Sequence, residues 1–418
     1  MKFASGIFQA EGVDRAVVIT AVVAALGYMV DVFDLLLFSI VRVQSLKDLG
    51  LSDDQILSQG VWLINAQMSG LMIGGILWGV LGDRLGRVSV LFGSILLYSL
   101  ANIANGFVQN VETYAVLRLI AGIGLAGELG AGVTLASELF PRHLRGLGTT
   151  FIATVGVAGA VLAAVVAEVT DWRTAYIIGG VMGLCLLALR LNVRESGMYK
   201  KIAKGGKAVS RGNFLMLFAR RERFLRYISV ILIGAPIWGV VGLFITFTPE
   251  FSKAFGMTIS PTAGTAVLFC YAGLVIGDFA SGLLSQVLQS RRRAVAVFLG
   301  MLVLVIAAYV FVPHDTLAHY YAMCLFLGLG CGYWAMFVQM GAEQFGTNIR
   351  ATAATTIPNM VRGMTVPMTA SFHALIPALG VVGAGVGVLT VMIMLAAICL
   401  LFLKETFHTD LDYIEQPI

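Results

Sequence analysis

The chain has 418 residues, of which 58% are hydrophobic and only 12% charged, with a formal net charge of +5 and a mean hydropathy of +0.89. Soluble domains carry roughly 25% charged residues, so the composition excludes a water-soluble globular protein and points to a bilayer. The small positive balance implies no nucleic-acid partner, because its distribution along the chain follows a membrane topology.

The 48 glycines against 9 prolines suit closely packed membrane helices. The five cysteines all fall in apolar runs, which argues against a disulfide framework. No cleavable signal peptide precedes the first apolar run, which is too long for one.

A membrane helix needs about 20 apolar residues. Twelve such runs are present, at 16–41, 60–82, 88–108, 113–138, 147–168, 172–191, 227–247, 263–285, 292–312, 319–341, 351–375 and 379–403. They are spans 1 to 12. They fall into an N-terminal six-helix bundle (1–191) and a C-terminal one (227–418), joined by a linker (192–226). Of the 28 lysines and arginines, only Arg42, Lys47, Arg173 and Lys253 would face outside if both termini were cytoplasmic. Basic residues concentrate on cytoplasmic loops, so both termini are expected inside. The basic run from Arg190 to Arg226 is then a cytoplasmic linker at the lipid surface.

Span 1 carries Asp31 and Asp34, three residues apart and so on one helix face. GDRLGR (82–87) lies between spans 2 and 3 and puts Asp83, Arg84 and Arg87 in a tight, charged turn. Span 4 holds Arg118 and Glu128. Charges in the bilayer interior usually face protein or a water-filled cavity, so both are candidate functional groups. Ten residues separate them, about 15 Å along the axis, too far for a direct pair. The span 1 aspartates lie at the depth of Arg118, so an Asp34–Arg118 or Asp31–Arg118 pair is expected. A substrate that competes for the arginine would release the carboxylate to take a proton. A permanent structural ion pair is the alternative. Glu128 is a separate candidate proton relay.

In the second half, Asp278 is a further mid-membrane acid. Arg362 in span 11 lies between Pro358 and Pro367, and its guanidinium suits a carboxylate. Its alternative role is a pair with Asp278. For Glu128 and Asp278 the alternative is a helix-packing hydrogen bond. Trp238, Phe244, Tyr333 and Trp334 could line a substrate surface or serve plain packing.

The halves repeat. SELFPRHLRGLGTT (137–150) returns as AEQFGTNIRATAATT (342–356), about 205 residues later, so that Glu138 and Arg145 match Glu343 and Arg350. GVLGDRLGR (79–87) returns weakly as GLLSQVLQS (282–290). With glycines aligned, Arg118 corresponds to Cys324 and Glu128 to Trp334, so the second half lacks these charges.

Gly79, Asp83, Arg84, Gly86 and Arg87 resemble the loop signature of the major facilitator superfamily. The resemblance implies an all-α membrane protein, with twelve transmembrane helices in two pseudo-symmetric bundles around a central site. Such a charged turn can hold one conformation of a rocking bundle and release it in the other, or serve only to fix topology; Asp83, Arg84, Arg87, Glu138, Arg145, Glu343 and Arg350 are the candidate conformational gate. Arg118, Gly122, Gly124, Gly127 and Glu128 resemble span 4 of the metabolite and organic-acid:H+ symporter branches. Asp31 and Asp34 resemble the D-G-F-D of organic-acid symporters, with Val32 in place of glycine. RESGMY (194–199) departs from the sugar-porter pattern by lacking its proline, which weakens a sugar substrate. Span 5 lacks the G-x-x-x-G-P of antiporters, which favours uptake.

The expectation is a secondary transporter, not an enzyme, that takes up a small organic anion with protons by alternating access. Arg118, Arg362, Trp238, Trp334 and Tyr333 would bind substrate, and Asp31, Asp34, Glu128 and Asp278 would couple protons. No metal or cofactor is expected. The partners are the substrate, protons and membrane lipids; the chain is expected to be a monomer in a bacterial inner membrane. A proton-coupled exporter of drugs or metabolites, or a symporter of a zwitterion, cation or sugar, remains as an alternative.

Overall fold

The structure, a computed structural model, describes residues 15–85, 87–139, 145–190, 214–407 and 415. The described residues form helices and no strand. The first half runs α1 (Arg15–Asp48), α2 (Asp53–Leu85), α3 (Arg87–Asn105), α4 (Val111–Leu139), α5 (Arg145–Val169) and α6 (Trp172–Arg190). These are spans 1 to 6, one helix each. Most of the linker lies outside the described residues; its described end is a 3-10 turn, Phe214–Leu217.

The second half breaks its spans. α7 (Arg221–Gly239) contains Pro236 and passes into a π-helical turn, Val240–Ile245, before the short α8 (Thr248–Ala254). Proline removes a helix hydrogen bond and crowds the preceding turn, and π-turns occur where a helix must absorb such a misfit. α9 (Ala263–Leu288) and α10 (Arg291–Phe311) are continuous. Span 10 divides into α11 (Leu317–Gly330) and α12 (Trp334–Glu343), and span 11 into α13 (Thr347–Gly363) and the start of α14 (Thr365–Phe402). α14 also contains span 12. The two meet at Gly380, where φ is 67°, a left-handed conformation that glycine adopts without Cβ strain. Eight stretches among the described residues are long and apolar enough to cross a membrane.

Glycines set the closest helix contacts, and do so alike in both halves. A Cβ on Gly70 of α2 would strike the carbonyl of Leu119 in α4, and one on Gly122 of α4 would strike that of Gln67. In the second half, Gly273 of α9 faces the carbonyl of Leu325, and Gly328 of α11 faces that of Cys270. Small residues let membrane helices gain dispersion contact where lipid offers no hydrophobic drive between them.

The halves meet along two seams: α2 against α13, and α5 against α9. Advancing by six spans turns the 2–11 contact into the 8–5 contact, as a duplicated unit requires. In the first seam Gly75 and Gly79 lie under Asn359 and Thr356, and Met72 fills the space over Gly363.

The side chains of Asp83, Arg84, Arg87, Glu138, Arg145 and Arg350 lie outside the described residues, as does residue 86. Glu343 is described. It accepts hydrogen bonds from Arg291 (3.4 Å), Gln339 (2.9 Å) and Thr406 (2.7 Å), tying α12 to the start of α10 and the chain after α14.

Gly277 packs against the backbone of Leu329 and Gly332, where span 10 breaks. Gly277→Val is expected to cost about 1–3 kcal/mol through overpacking against backbone that cannot yield. Thermal unfolding of the detergent-solubilised protein should show a lowered Tm.

Candidate functional site

The interrupted spans place one arginine at the contact between the halves. Arg362 is the next-to-last residue of α13, beside the break at Met364. Its Nη2 lies 3.5 Å from Oδ2 of Asp31 on α1. Its guanidinium carbon is 5.8 Å from the ring of Trp238, two residues beyond Pro236 in α7. Asp31 and Arg362 are both buried. This pair joins a carboxylate of the first half to a cation of the second.

Asp34, one turn further along α1, faces α6, where Gly179 leaves it room. Its charged neighbour is Arg118. They make no hydrogen bond with each other. The Arg118 guanidinium instead lies between two rings, 5.3 Å from the centre of Phe38 and 5.4 Å from that of Tyr176. Such contact with an aromatic face offsets part of the cost of burying the cation. The expected pairing is therefore redistributed. Asp31 goes to Arg362, and Asp34 neighbours Arg118 without contact.

Asp278 does not pair with Arg362. Its Oδ1 accepts the backbone N–H of Ala335 at 3.0 Å, near the start of α12. A helix start leaves N–H groups without partners, and a carboxylate there satisfies one and complements the helix dipole. Asp278 thus holds the break in span 10. Tyr333 sits at the same break and donates its hydroxyl to the carbonyl of Ile233 in α7 (3.0 Å). Trp334 is half-buried and packs on Phe337, with ring centres 5.5 Å apart.

Glu128 forms a two-pronged pair with Arg190. Nη1 donates to Oε2 at 3.1 Å and Nη2 donates to Oε1. Both side chains are buried, beneath Gly27 of α1, where a Cβ would overlap them. Arg190 looked in sequence like the first residue of the basic linker. It is instead the counter-charge of Glu128, reached across the bundle from the end of α6. The sequence signal was available: a lone acid in span 4 needs a cation, and Arg190 ends an apolar span.

Sequence reasoning also missed a polar connection between the halves near one end of α1. Ser39 and Thr246 lie 3.0 Å apart, and Arg42 pairs with Glu250 at 2.7 Å while stacking over Phe247. Arg42 was assigned to an outer loop, yet it is fully buried. Thr369 and Asn65 add a further bond, at 2.5 Å. On the first seam, the Asn359 amide donates to the carbonyl of Ala126 at 3.0 Å, two residues before Glu128.

The sequence profile of the Major Facilitator Superfamily matches residues 18–363. The niacin transporter NiaP of Acinetobacter baylyi is 26% identical over 368 residues, covering 79% of this chain and 81% of that protein. The sialic acid transporter NanX of Escherichia coli is 26% identical over 394 residues, covering 90% and 91%. Among solved structures, the D-xylose-proton symporter superposes with a TM-score of 0.68 at 18% identity, over 92% of this chain and 98% of that one.

Removing one member of a buried pair leaves an uncompensated charge, at a cost of about 3–5 kcal/mol. Glu128→Gln should accordingly lower the Tm sharply or prevent folding. The double variant Glu128→Leu/Arg190→Met, which removes both charges, should recover most of the loss in the same thermal scan.

Proposed function

Because this chain belongs to the Major Facilitator Superfamily, and is therefore a multi-pass membrane transporter of a small molecule, we propose that it takes up a small carboxylate together with protons. The observation that carries this reading is the Asp31–Arg362 contact. At 3.5 Å it is long for a charge-assisted hydrogen bond, which runs about 2.7–2.9 Å. Arg362 therefore retains donor capacity, and its Nε and Nη1 have no partner among the described residues. A substrate carboxylate can take those donors with two hydrogen bonds. Asp31 would then lose its counter-charge in a buried site, where a proton is the remaining way to neutralise it. Loading the anion and protonating Asp31 become one coupled event. Trp238 would flank the bound anion, while Asp34 and Arg118 would form a second charge-balanced set. The named substrates of the two sequence relatives, niacin and sialic acid, support an acid as cargo.

Alternating access follows from the two seams. The halves 1–191 and 227–418 would rock about them, with the linker 192–226 on the cytoplasmic side, both termini cytoplasmic, and a monomer in a bacterial inner membrane as the working unit. Ser39–Thr246, Arg42–Glu250 and Asn65–Thr369 join the halves at the end of α1 away from that side. They are the contacts that must open to admit substrate. Asp83, Arg84, Arg87, Glu138, Arg145, Glu343 and Arg350 would act at the opposite end. Tyr333 and Asp278 would hold the span 10 break in shape, and Trp334 would stand beside it.

Proteoliposomes with an imposed pH gradient test the cargo. Nicotinate, sialic acid or 4-hydroxybenzoate should accumulate, and Arg362→Ala should reduce accumulation at least about tenfold, the loss expected for one strong charged contact. If no acid accumulates, or if Arg362→Ala transports as well as the parent, the carboxylate reading fails.

The double variant Ser39→Cys/Thr246→Cys tests the closure. The Ser39 and Thr246 side chains lie 3.0 Å apart, within reach of a disulfide. Oxidation should arrest uptake, and reduction should restore it.

A further inference from the structure

The first half contains buried polar atoms that neither the central pair nor the Glu128–Arg190 pair uses. Asp34 has only the Asn102 amide beside it, and the hydroxyls of Tyr98 and Ser99 and the side-chain amide of Asn105 have no hydrogen-bond partner among the described residues. All five residues are fully buried. Leaving a buried polar atom unsatisfied costs about 1–3 kcal/mol, and the usual remedy inside proteins is ordered water.

These atoms are aligned by one face of α6. Tyr176, Gly179, Gly183 and Arg190 recur at helical spacing, so they share that face. Tyr176 lies beside Arg118. A Cβ on Gly179 would overlap Oδ1 of Asp34. A Cβ on Gly183 would overlap the Ser99 hydroxyl and lie 3.2 Å from the hydroxyl of Tyr98. Arg190 holds Glu128. From Gly179 to Arg190 the helix rises about 16 Å. The face therefore meets, in order, Arg118, Asp34, the two hydroxyls of α3, and the Glu128–Arg190 pair. Asn102 lies one turn beyond Tyr98 on α3, on the Asp34 side. Asp31 is the remaining acid nearby, and it faces Arg362.

We propose that the first half contains a hydrated column, separate from the central substrate site, in which ordered water joins Asp34 to the Glu128–Arg190 pair past Ser99 and Tyr98. Resting on the proton-coupled reading above, the column is the route by which a proton moves between Glu128 and Asp34 without crossing the substrate's path. Each hydroxyl on the way accepts one proton from a water and passes its own to the next, so no charge is left behind in the bundle. Tyr98 is then a relay residue of the route.

Radiolytic footprinting tests the column without any substrate. A brief X-ray pulse creates hydroxyl radicals from bound water, and these oxidise the side chains beside it. Tyr309 and Tyr320 are internal controls: both are fully buried, and their hydroxyls lie 3.1 Å apart, bonded to each other. In the intact protein in lipid nanodiscs, Tyr98 should be oxidised about tenfold faster than either control if it touches bound water. Oxidation of Tyr98 no faster than the controls overturns the column. A methyl at position 183 would overlap the Ser99 hydroxyl and the Tyr98 ring, so Gly183→Ala should displace both from the water and lower Tyr98 oxidation about fivefold, with unchanged oxidation of Tyr309 and Tyr320 reporting an intact fold. Undiminished Tyr98 oxidation in that folded variant also overturns it. If the variant does not fold, the parent protein still decides.

In proteoliposomes, Tyr98→Phe should lower the ratio of pH-driven uptake to substrate counterflow by about tenfold, since only the former needs net proton movement. A labelled Tyr98 with an unchanged ratio removes the proton role. Labelling as expected, with no pH-driven uptake by the parent, leaves the column and overturns the coupling.

Discussion

Burying charge in the interior of a membrane protein is expensive, and this molecule manages it by pairing charges across helices. Asp31–Arg362 joins α1 to α13, Glu128–Arg190 joins α4 to α6, and Arg42–Glu250 joins α1 to the short helix after the π-turn. Each pair satisfies ions that would otherwise lose their hydration for nothing. Each also fixes how two helices sit against each other. Pairs within one half need not break when the halves separate, since helices of one bundle move together. Pairs between halves are conditional, because separating the halves must break them. The compact two-pronged geometry of Glu128–Arg190 and the long single contact of Asp31–Arg362 fit those two roles.

The division of labour between the halves follows from the same constraint. Among the described residues, the first half carries more of the buried charge and keeps its helices unbroken. The second half carries Arg362 and breaks spans 7, 10 and 11. Irregular backbone at membrane depth is tolerated only where protein or a cavity surrounds it, and here the breaks lie beside Trp238, Trp334 and Arg362. Asp278 and Tyr333 supply the hydrogen bonds that hold those breaks. Both were expected in sequence to serve proton coupling or substrate binding, and both make hydrogen bonds at an interrupted helix. The duplicated unit has diverged into a charged, continuous half and a kinked, aromatic one.

Much of this was legible in the chain itself. Hydropathy located all twelve spans, since the need for about 20 apolar residues is a local property. The duplication was visible in Glu138/Arg145 and Glu343/Arg350, and the family in the GDRLGR loop. Arg118, Arg362, Asp31, Asp34 and Glu128 stood out because each is a charge in an apolar run. The glycines of α6 gave no such signal. A stripe of small residues in a membrane helix reads as packing, and here it also spaces Asp34 from Tyr98 and Ser99.

What the sequence by itself determined was which charges must be buried; the tertiary structure decided which of them meet. Partner choice depends on the rotation of each helix about its axis and on contacts between residues far apart in the chain, such as Asp31 and Arg362. Neither is encoded in any local window. Asp31 or Asp34 was expected to pair with Arg118, three helices along; Asp31 lies instead against a residue of the other half. Arg190 was counted among linker cations, and packing turned it inward. Composition could state the cost of each buried charge, but only the assembled helices could supply the opposite charge that offsets it.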